Sequence, residues 1–222
     1  MNPAEPVAVS AIVEHHRQRG RYRVMVGDEQ LALVSARLVA ELSLRVGGVL
    51  DAPAQAVLAR ESAVLAAYDK GIALLAVRAR ASRELERKLL RAGFEKPSVD
   101  SALERLAADG HLDDERFSLL LSRTRLGGGK VARRRVEQEL GRLGVDREVA
   151  RDAVERVASE EEFNEGDAAL ALARRRASSL RGVSADAARR RLFGYLVRRG
   201  FESSHASAAV AAALDEIRAE HS

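Results

Sequence analysis

Arginine recurs at fixed distances before three glycines of this chain. It stands ten and two positions before Gly93 (Arg83, Arg91), before Gly144 (Arg134, Arg142) and before Gly200 (Arg190, Arg198). A guanidinium keeps its charge at any working pH and offers a planar fork of N–H donors, which suits phosphate and carboxylate oxygens taken two at a time. Arg133 and Arg135 flank Arg134 and thicken the middle copy. Three copies of one cationic spacing suit the binding of an acidic surface rather than the making or breaking of bonds.

Catalytic patterns are missing. The chain has no cysteine, which removes disulfides, thiol catalysis and thiolate zinc sites and fits a reducing compartment. Its five histidines (His15, His16, His111, His205, His221) have no metal-ligand spacing. Gly127-Gly128-Gly129-Lys130 looks at first sight like a phosphate loop, but Val131 stands where Ser or Thr would bind magnesium, and no buried strand precedes it. Adjacent Asp113 and Asp114 read as groups at a helix start, favoured there by capping and the helix dipole. The expectation is a protein that is not an enzyme and needs no metal or cofactor.

The arginines need helices to carry them. Apolar residues lie eight and four positions before each glycine: Leu85 and Leu89, Val136 and Leu140, Leu192 and Leu196. At about 100° per residue, arginines offset by two positions from these pairs point away from them. Each glycine then ends its helix in the left-handed conformation, and the next residue (Phe94, Val145 or Phe201) folds back on the apolar face. The glycines lie 51 and 56 residues apart, a repeat period. Each repeat resolves into three helices: about 59–80, 82–91 and 97–109; 114–125, 130–143 and 146–159; 164–179, 184–199 and 203–220. Ser82, Asp113 and Ser184 are the expected N-caps, and Pro97 fits a first turn. Leu65, Tyr68, Ile72, Leu75 and Ala79 trace one buried face, in which Gly71 costs ~1 kcal/mol relative to Ala.

The first fifty residues differ. Val9–Val13 is rich in β-branched residues, and Arg21–Val26 and Gln30–Val34 alternate polar and apolar around Gly27-Asp28-Glu29, a hairpin. A helix over about 35–46 follows, and Gly47-Gly48 closes the segment. The fold expected is mainly α: three tandem three-helix repeats in an elongated array (53–111, 112–161, 162–222), preceded by a small β-hairpin-containing segment (1–52).

Hydrophobic residues make up 46% and charged residues 32%, enough to bury a core and stay in solution. The net charge of +4 is modest, so its distribution matters more. Nine arginines between Arg174 and Arg199 face only Asp186, whereas the stretch from Asp146 to Glu162 is acid-rich. Three readings stay open: a surface for an acidic protein assembly, a direct nucleic-acid binder, and a neutral scaffold whose arginines pair with acidic helices next to them. Aromatics at 4% argue against base stacking on single strands. Residues 1–16 lack the pattern of a signal peptide and no apolar run approaches ~20 residues, so a cytoplasmic protein with no membrane contact is expected.

The chain resembles the RecX family, bacterial regulatory proteins that modulate the RecA recombinase. The likeness runs through Ala67-Tyr68-Asp69-Lys70-Gly71-Ile72-Ala73-Leu74-Leu75, then Arg78, Arg80, Ser82, Glu84-Leu85, Leu89 and Gly93-Phe94. It continues in Gly110-His111-Leu112-Asp113-Asp114-Glu115-Arg116-Phe117, its most specific part, then in Arg134, Glu139-Leu140, Gly144-Val145 and the stretch from Tyr195 to Phe201. Ser118 and Gly71 depart from the family pattern, which favours Ala at both places. The resemblance implies a protein that lies along the RecA filament on single-stranded DNA and restrains its ATP hydrolysis and strand exchange, in homologous recombination and DNA repair. An open-ended repeat array requires no dimer, so a monomer is expected. It implies that Leu112 and Phe117 are core, that Asp113 and Asp114 cap a helix and pair with a neighbouring arginine, and that Arg83, Arg91, Arg133, Arg134, Arg135, Arg142, Arg190 and Arg198 face the filament or its DNA.

Overall fold

Glycine at the first position of a two-residue turn takes positive φ without steric cost, and this closes the N-terminal hairpin at Gly27 (φ +58°). A computed structural model describes residues 5–180 and 182–219 of the chain. Strands β2 (Ala11–Glu14), β3 (Arg21–Val26) and β4 (Glu29–Ser35) form an antiparallel sheet in the order β2-β3-β4. A bulge after Val24 lets Val24 pair with Ala32 while Met25 pairs with Gln30. Two further strands escape the sequence reading: β1 (Val7–Ala8) pairs antiparallel with β5 (Val49–Leu50). At two residues each they carry no periodic signal.

The helix expected over 35–46 is shorter. Ser35 caps α1 (Ala36–Glu41) by accepting from the Leu38 N–H, and Ser43 takes φ +47°, which ends helical geometry. Helix α2 (Ala52–Val77) begins earlier than expected, at a cap by Asp51 with Pro53 in its first turn. It buries Leu58, Val64, Leu65, Ala67 and Gly71. Ala79 lies beyond its end and is exposed, so the expected buried face stops at Leu75. Gly71 is required by space: a Cβ there would sit 2.7 Å from Leu106 Cδ1.

The remaining helices are α3 (Ser82–Arg91), α4 (Lys96–Ala108), α5 (Asp114–Leu126), α6 (Arg133–Leu143), α7 (Arg147–Glu160), α8 (Glu165–Ala177), α9 (Ala185–Arg198) and α10 (Ser203–Ala219). A single 3₁₀ turn, Ser178–Leu180, follows α8. The mostly helical architecture of three three-helix domains behind a small β segment is therefore as expected. Glu220 and His221, expected at the end of the last helix and among the histidines, lie outside the described residues, as do Arg181 and residues 1–4.

The chain divides into two compact units. One holds the residues up to Ala79 together with Glu84–Leu112; the other holds Arg80–Arg83 and the chain from Asp113 onward. In the first unit, Val9, Val24, Ala32, Val34, Leu50 and Leu58 form one core, so the β segment packs on α2. Ser62 of α2 meets the edge strand β4: its hydroxyl accepts from Leu33 N–H and donates to Leu33 C=O, each at 2.8 Å. Arg21 donates to both carboxylate oxygens of Asp69 at 2.7 and 2.8 Å. Leu85, Leu89, Val99, Leu106 and Leu112 form the neighbouring core. In the second unit, Phe117, Val136, Leu140, Val145 and Val154 share one core, and Leu172, Leu192, Leu196, Phe201 and Val210 another.

Candidate functional site: the arginine face and the repeat junctions

All six apolar residues at the fixed offsets before the three glycines are completely buried. Six of the eight nominated arginines (Arg83, Arg91, Arg134, Arg142, Arg190, Arg198) are exposed, and Arg133 and Arg135 are half-buried. Gly93, Gly144 and Gly200 take φ of +93°, +97° and +93°, as a C-terminal helix stop requires. Phe94, Val145 and Phe201 turn back: the N–H of each donates to the carbonyl four residues before its glycine, Leu89, Leu140 or Leu196.

The glycines of the second and third copies have a further duty. A Cβ on Gly144 would lie 2.4 Å from the Cβ of Arg83, and one on Gly200 would lie 2.8 Å from the Cβ of Arg135. Gly93 has nothing within 4 Å of that position. Within the second unit, the first turn of one repeat's middle helix thus lands on the next repeat's glycine.

This junction has matching parts in both places. Ala81 and Ala132, each twelve positions before its own glycine and fully buried, enter the apolar core of the following repeat. At the next position, Ser82 N–H donates to Asp114 Oδ1 (2.7 Å) and Arg133 N–H donates to Glu165 Oε1 (3.0 Å). Asp114 and Glu165 are the first residues of α5 and α8. An acidic side chain opening one repeat therefore satisfies an amide that would otherwise be unpaired at the start of the preceding middle helix. Ser82 lies inside α3 and is not its cap; its hydroxyl also donates to Asp114 Oδ1, at 3.0 Å. Ser184 occupies the cap position of α9 but its side chain bonds nothing there. Asp113 does cap α5, accepting from Arg116 N–H at 2.9 Å. Leu112 packs with the first unit and Phe117 with the second.

The nominated arginines do not share one fate. Arg133 lies 3.5 Å from Glu165 and 3.8 Å from Glu155, so it is engaged in the scaffold. Arg135 and Arg142 sit in the field of Glu139. The Glu139 carboxyl is held below its usual range chiefly by hydrogen bonds from Arg125, against a smaller opposing effect of burial. Arg123 pairs with Glu160 at 2.8 Å, Arg125 with Glu139 at 2.5 Å, and Arg174 with Glu216. The side chains of Arg83, Arg91, Arg134, Arg190 and Arg198, by contrast, make no hydrogen bond or ion pair among the described residues. The scaffold reading thus describes Arg123, Arg125, Arg133 and Arg174 and leaves out most of the repeated positions.

Nor do the exposed arginines form one straight line. Arg134, Arg135 and Arg198 line a single cleft of about 610 Å³ with Gln138, Val197 and residues 200–204. Arg190 lines a different groove with Arg189, Phe193, Ser207, Val210 and Ala211. Helical offset puts positions eight apart roughly 80° apart, enough to direct them to different surfaces. Among the described residues no group of three His, Asp or Glu side chains could hold a metal ion, and no helix is long and apolar enough to cross a membrane. The Gly127–Gly129 turn joins α5 to α6, and the Lys130 carbonyl accepts from Arg199.

Comparison with known proteins gives the same three-part division. Residues 67–106, 113–154 and 164–210 match the models of the first, second and third three-helix domains of RecX. A "Regulatory protein RecX" of Amycolatopsis mediterranei is 37% identical over 147 residues, 66% of this chain and 82% of that protein. One from Halorhodospira halophila is 37% identical over 154 residues, 68% of this chain and 90% of that protein. A crystal structure of regulatory protein RecX superimposes with a TM-score of 0.74 at 20% identity, covering 90% of this chain and 96% of the other. At that identity the likeness establishes the fold alone.

Proposed function

The chain belongs to the RecX family, and from that premise we propose that it binds the RecA recombinase filament on single-stranded DNA and restrains ATP hydrolysis and strand exchange without chemistry of its own. The observation that carries this reading is the set of arginines at repeated positions whose side chains have no partner among the described residues, Arg83, Arg91, Arg134, Arg190 and Arg198. Exposed ion pairs contribute only about 0–1 kcal/mol to folding, so such charges are free for a partner at little cost in stability. A filament on DNA is an acidic, repeating partner, and a chain built from repeats can place cations along it more than once. Charge complementarity of this kind raises association rate and selects the partner.

The test is ATP hydrolysis by the cognate recombinase on single-stranded DNA while this protein is titrated in. Suppression at concentrations well below those that coat bare DNA supports a filament regulator. Unchanged hydrolysis together with tight, salt-sensitive binding to bare DNA would overturn it.

A further inference from the structure

The cleft between α6 and the α9–α10 corner, wholly within the second unit, separates itself from the rest of the arginine face. Arg134 and Arg135 enter it from α6, Arg198 from the end of α9, and Ser203 and Ser204 from the first turn of α10. Gln138 stands one turn along α6 from Arg134. The Arg134 and Arg198 side chains have no hydrogen-bond or ion-pair partner among the described residues, and the Arg135 backbone lies against the Gly200 junction. The Arg198 guanidinium lies over the Cβ position of Gly194, a glycine that leaves it room. Among the described residues, the one acid lining the cleft is Glu202, against three arginines.

We infer that this cleft holds phosphate groups of a nucleic-acid backbone, so that Arg134, Arg135 and Arg198 meet DNA and not the recombinase protein. The inference rests on the filament reading and deepens it by assigning one part of the arginine face. Its donors come from three separate elements, which suits the tetrahedral oxygens of a phosphodiester better than the planar pair of a carboxylate. The hydroxyls of Ser203 and Ser204 add O–H groups that can donate to either phosphate oxygen, and the opening amides of α10 have no partner inside their own helix. A volume of about 610 Å³ takes a phosphate with its flanking sugars, more than one acidic side chain would fill. Its one aromatic, Phe201, is buried in the core of the third repeat, so no ring is offered for a base to stack on. Recognition here is of the backbone and is independent of sequence.

The test measures the affinity of the full chain for an unstructured oligonucleotide across a salt series, with no recombinase present. For single strands the slope of log affinity against log salt is about −0.7 per phosphate neutralised. The double variant Arg134→Ala, Arg198→Ala is expected to flatten the slope by about 0.7 to 1.4, one or two phosphates. Gln138→Glu, an exposed substitution that keeps the side-chain shape, is expected to weaken binding as well. Arg147→Ala with Arg151→Ala removes the same charge outside the cleft and is expected to leave the slope close to that of the wild type. Equal slopes for wild type and the cleft variants would overturn the inference, as would an effect of those variants confined to mixtures containing recombinase. Inorganic phosphate that competes as effectively as the oligonucleotide would also overturn it, by making the ligand a free anion. Recombinase ATP hydrolysis, run in parallel with the wild-type protein, reports on the filament reading separately: it can respond while the cleft variants bind bare DNA normally, and the reverse.

Discussion

Alanine at the three signature glycines should have unequal costs, although the local sequences are alike. All three have φ between +93° and +97°. Forcing an L-residue into the left-handed region costs roughly 1–2 kcal/mol, and that is the whole expected cost of Gly93→Ala, because nothing lies within 4 Å of its new Cβ. Gly144→Ala puts a methyl 2.4 Å from the Cβ of Arg83, and Gly200→Ala puts one 2.8 Å from the Cβ of Arg135 and 3.1 Å from its backbone nitrogen. Neither neighbour is the free end of a flexible side chain, so the junction must open. Overpacking of this kind adds about 1–3 kcal/mol. The expected costs are therefore ~1–2 kcal/mol at Gly93 and ~2–5 kcal/mol at Gly144 and Gly200, a large part of a typical ~5–15 kcal/mol stability. Urea denaturation, analysed at the transition of the unit that holds each glycine, measures this. Equal losses at all three positions would refute the claim that the second and third glycines serve repeat packing as well as helix termination.

Other substitutions read the remaining contacts. Asp114→Ala strands the part-buried Ser82 amide and should cost ~1–3 kcal/mol, against ~1 kcal/mol for Asp113→Ala, which loses only a cap; denaturant midpoints distinguish the two. Ser62→Ala should release the β segment locally, seen as faster hydrogen exchange at the Leu33 amide. For Glu61, burial works against the ionised form but is outweighed by bonds from Arg105 and Ser35, so its folded pKa lies below the ordinary carboxylate value. Its contribution is complete above the unfolded value and lost as pH falls through the folded one. The melting temperature of Glu61→Gln should accordingly lack part of the acid-side decline of the wild type. The Tyr68 hydroxyl is pushed up to about 12 by burial and by its bond to Asp109, so one phenolate should form late in an ultraviolet titration and earlier in Asp109→Ala.

Much of this was legible in the sequence because it is written locally and repeated. The apolar pairs before the glycines, the cap at Asp113, and the Gly27 turn depend on residues within a few positions of one another. What escaped depends on partners distant in sequence. The β1–β5 pairing joins two-residue strands about forty positions apart. The joints made by Ala81 and Ala132, and the bonds from Ser82 to Asp114 and from Arg133 to Glu165, carry a faint signal: an acid at the first position of α5 and of α8. Among the arginines, spacing found the exposed ones but did not separate Arg133, which an acid more than thirty positions away engages. Gln138, Ser203 and Ser204 join the cleft only through the folding of the third repeat onto α6, and no spacing rule would have nominated them.

The central claim is that the unpaired arginines are a binding surface and not part of the scaffold. Its most direct measurement is binding to the recombinase filament of a variant with Arg134, Arg190 and Arg198 reversed to glutamate, with its melting temperature recorded beside it. The account predicts that filament binding is lost while the melting temperature stays near that of the wild type. Unchanged filament binding by the folded variant would contradict it.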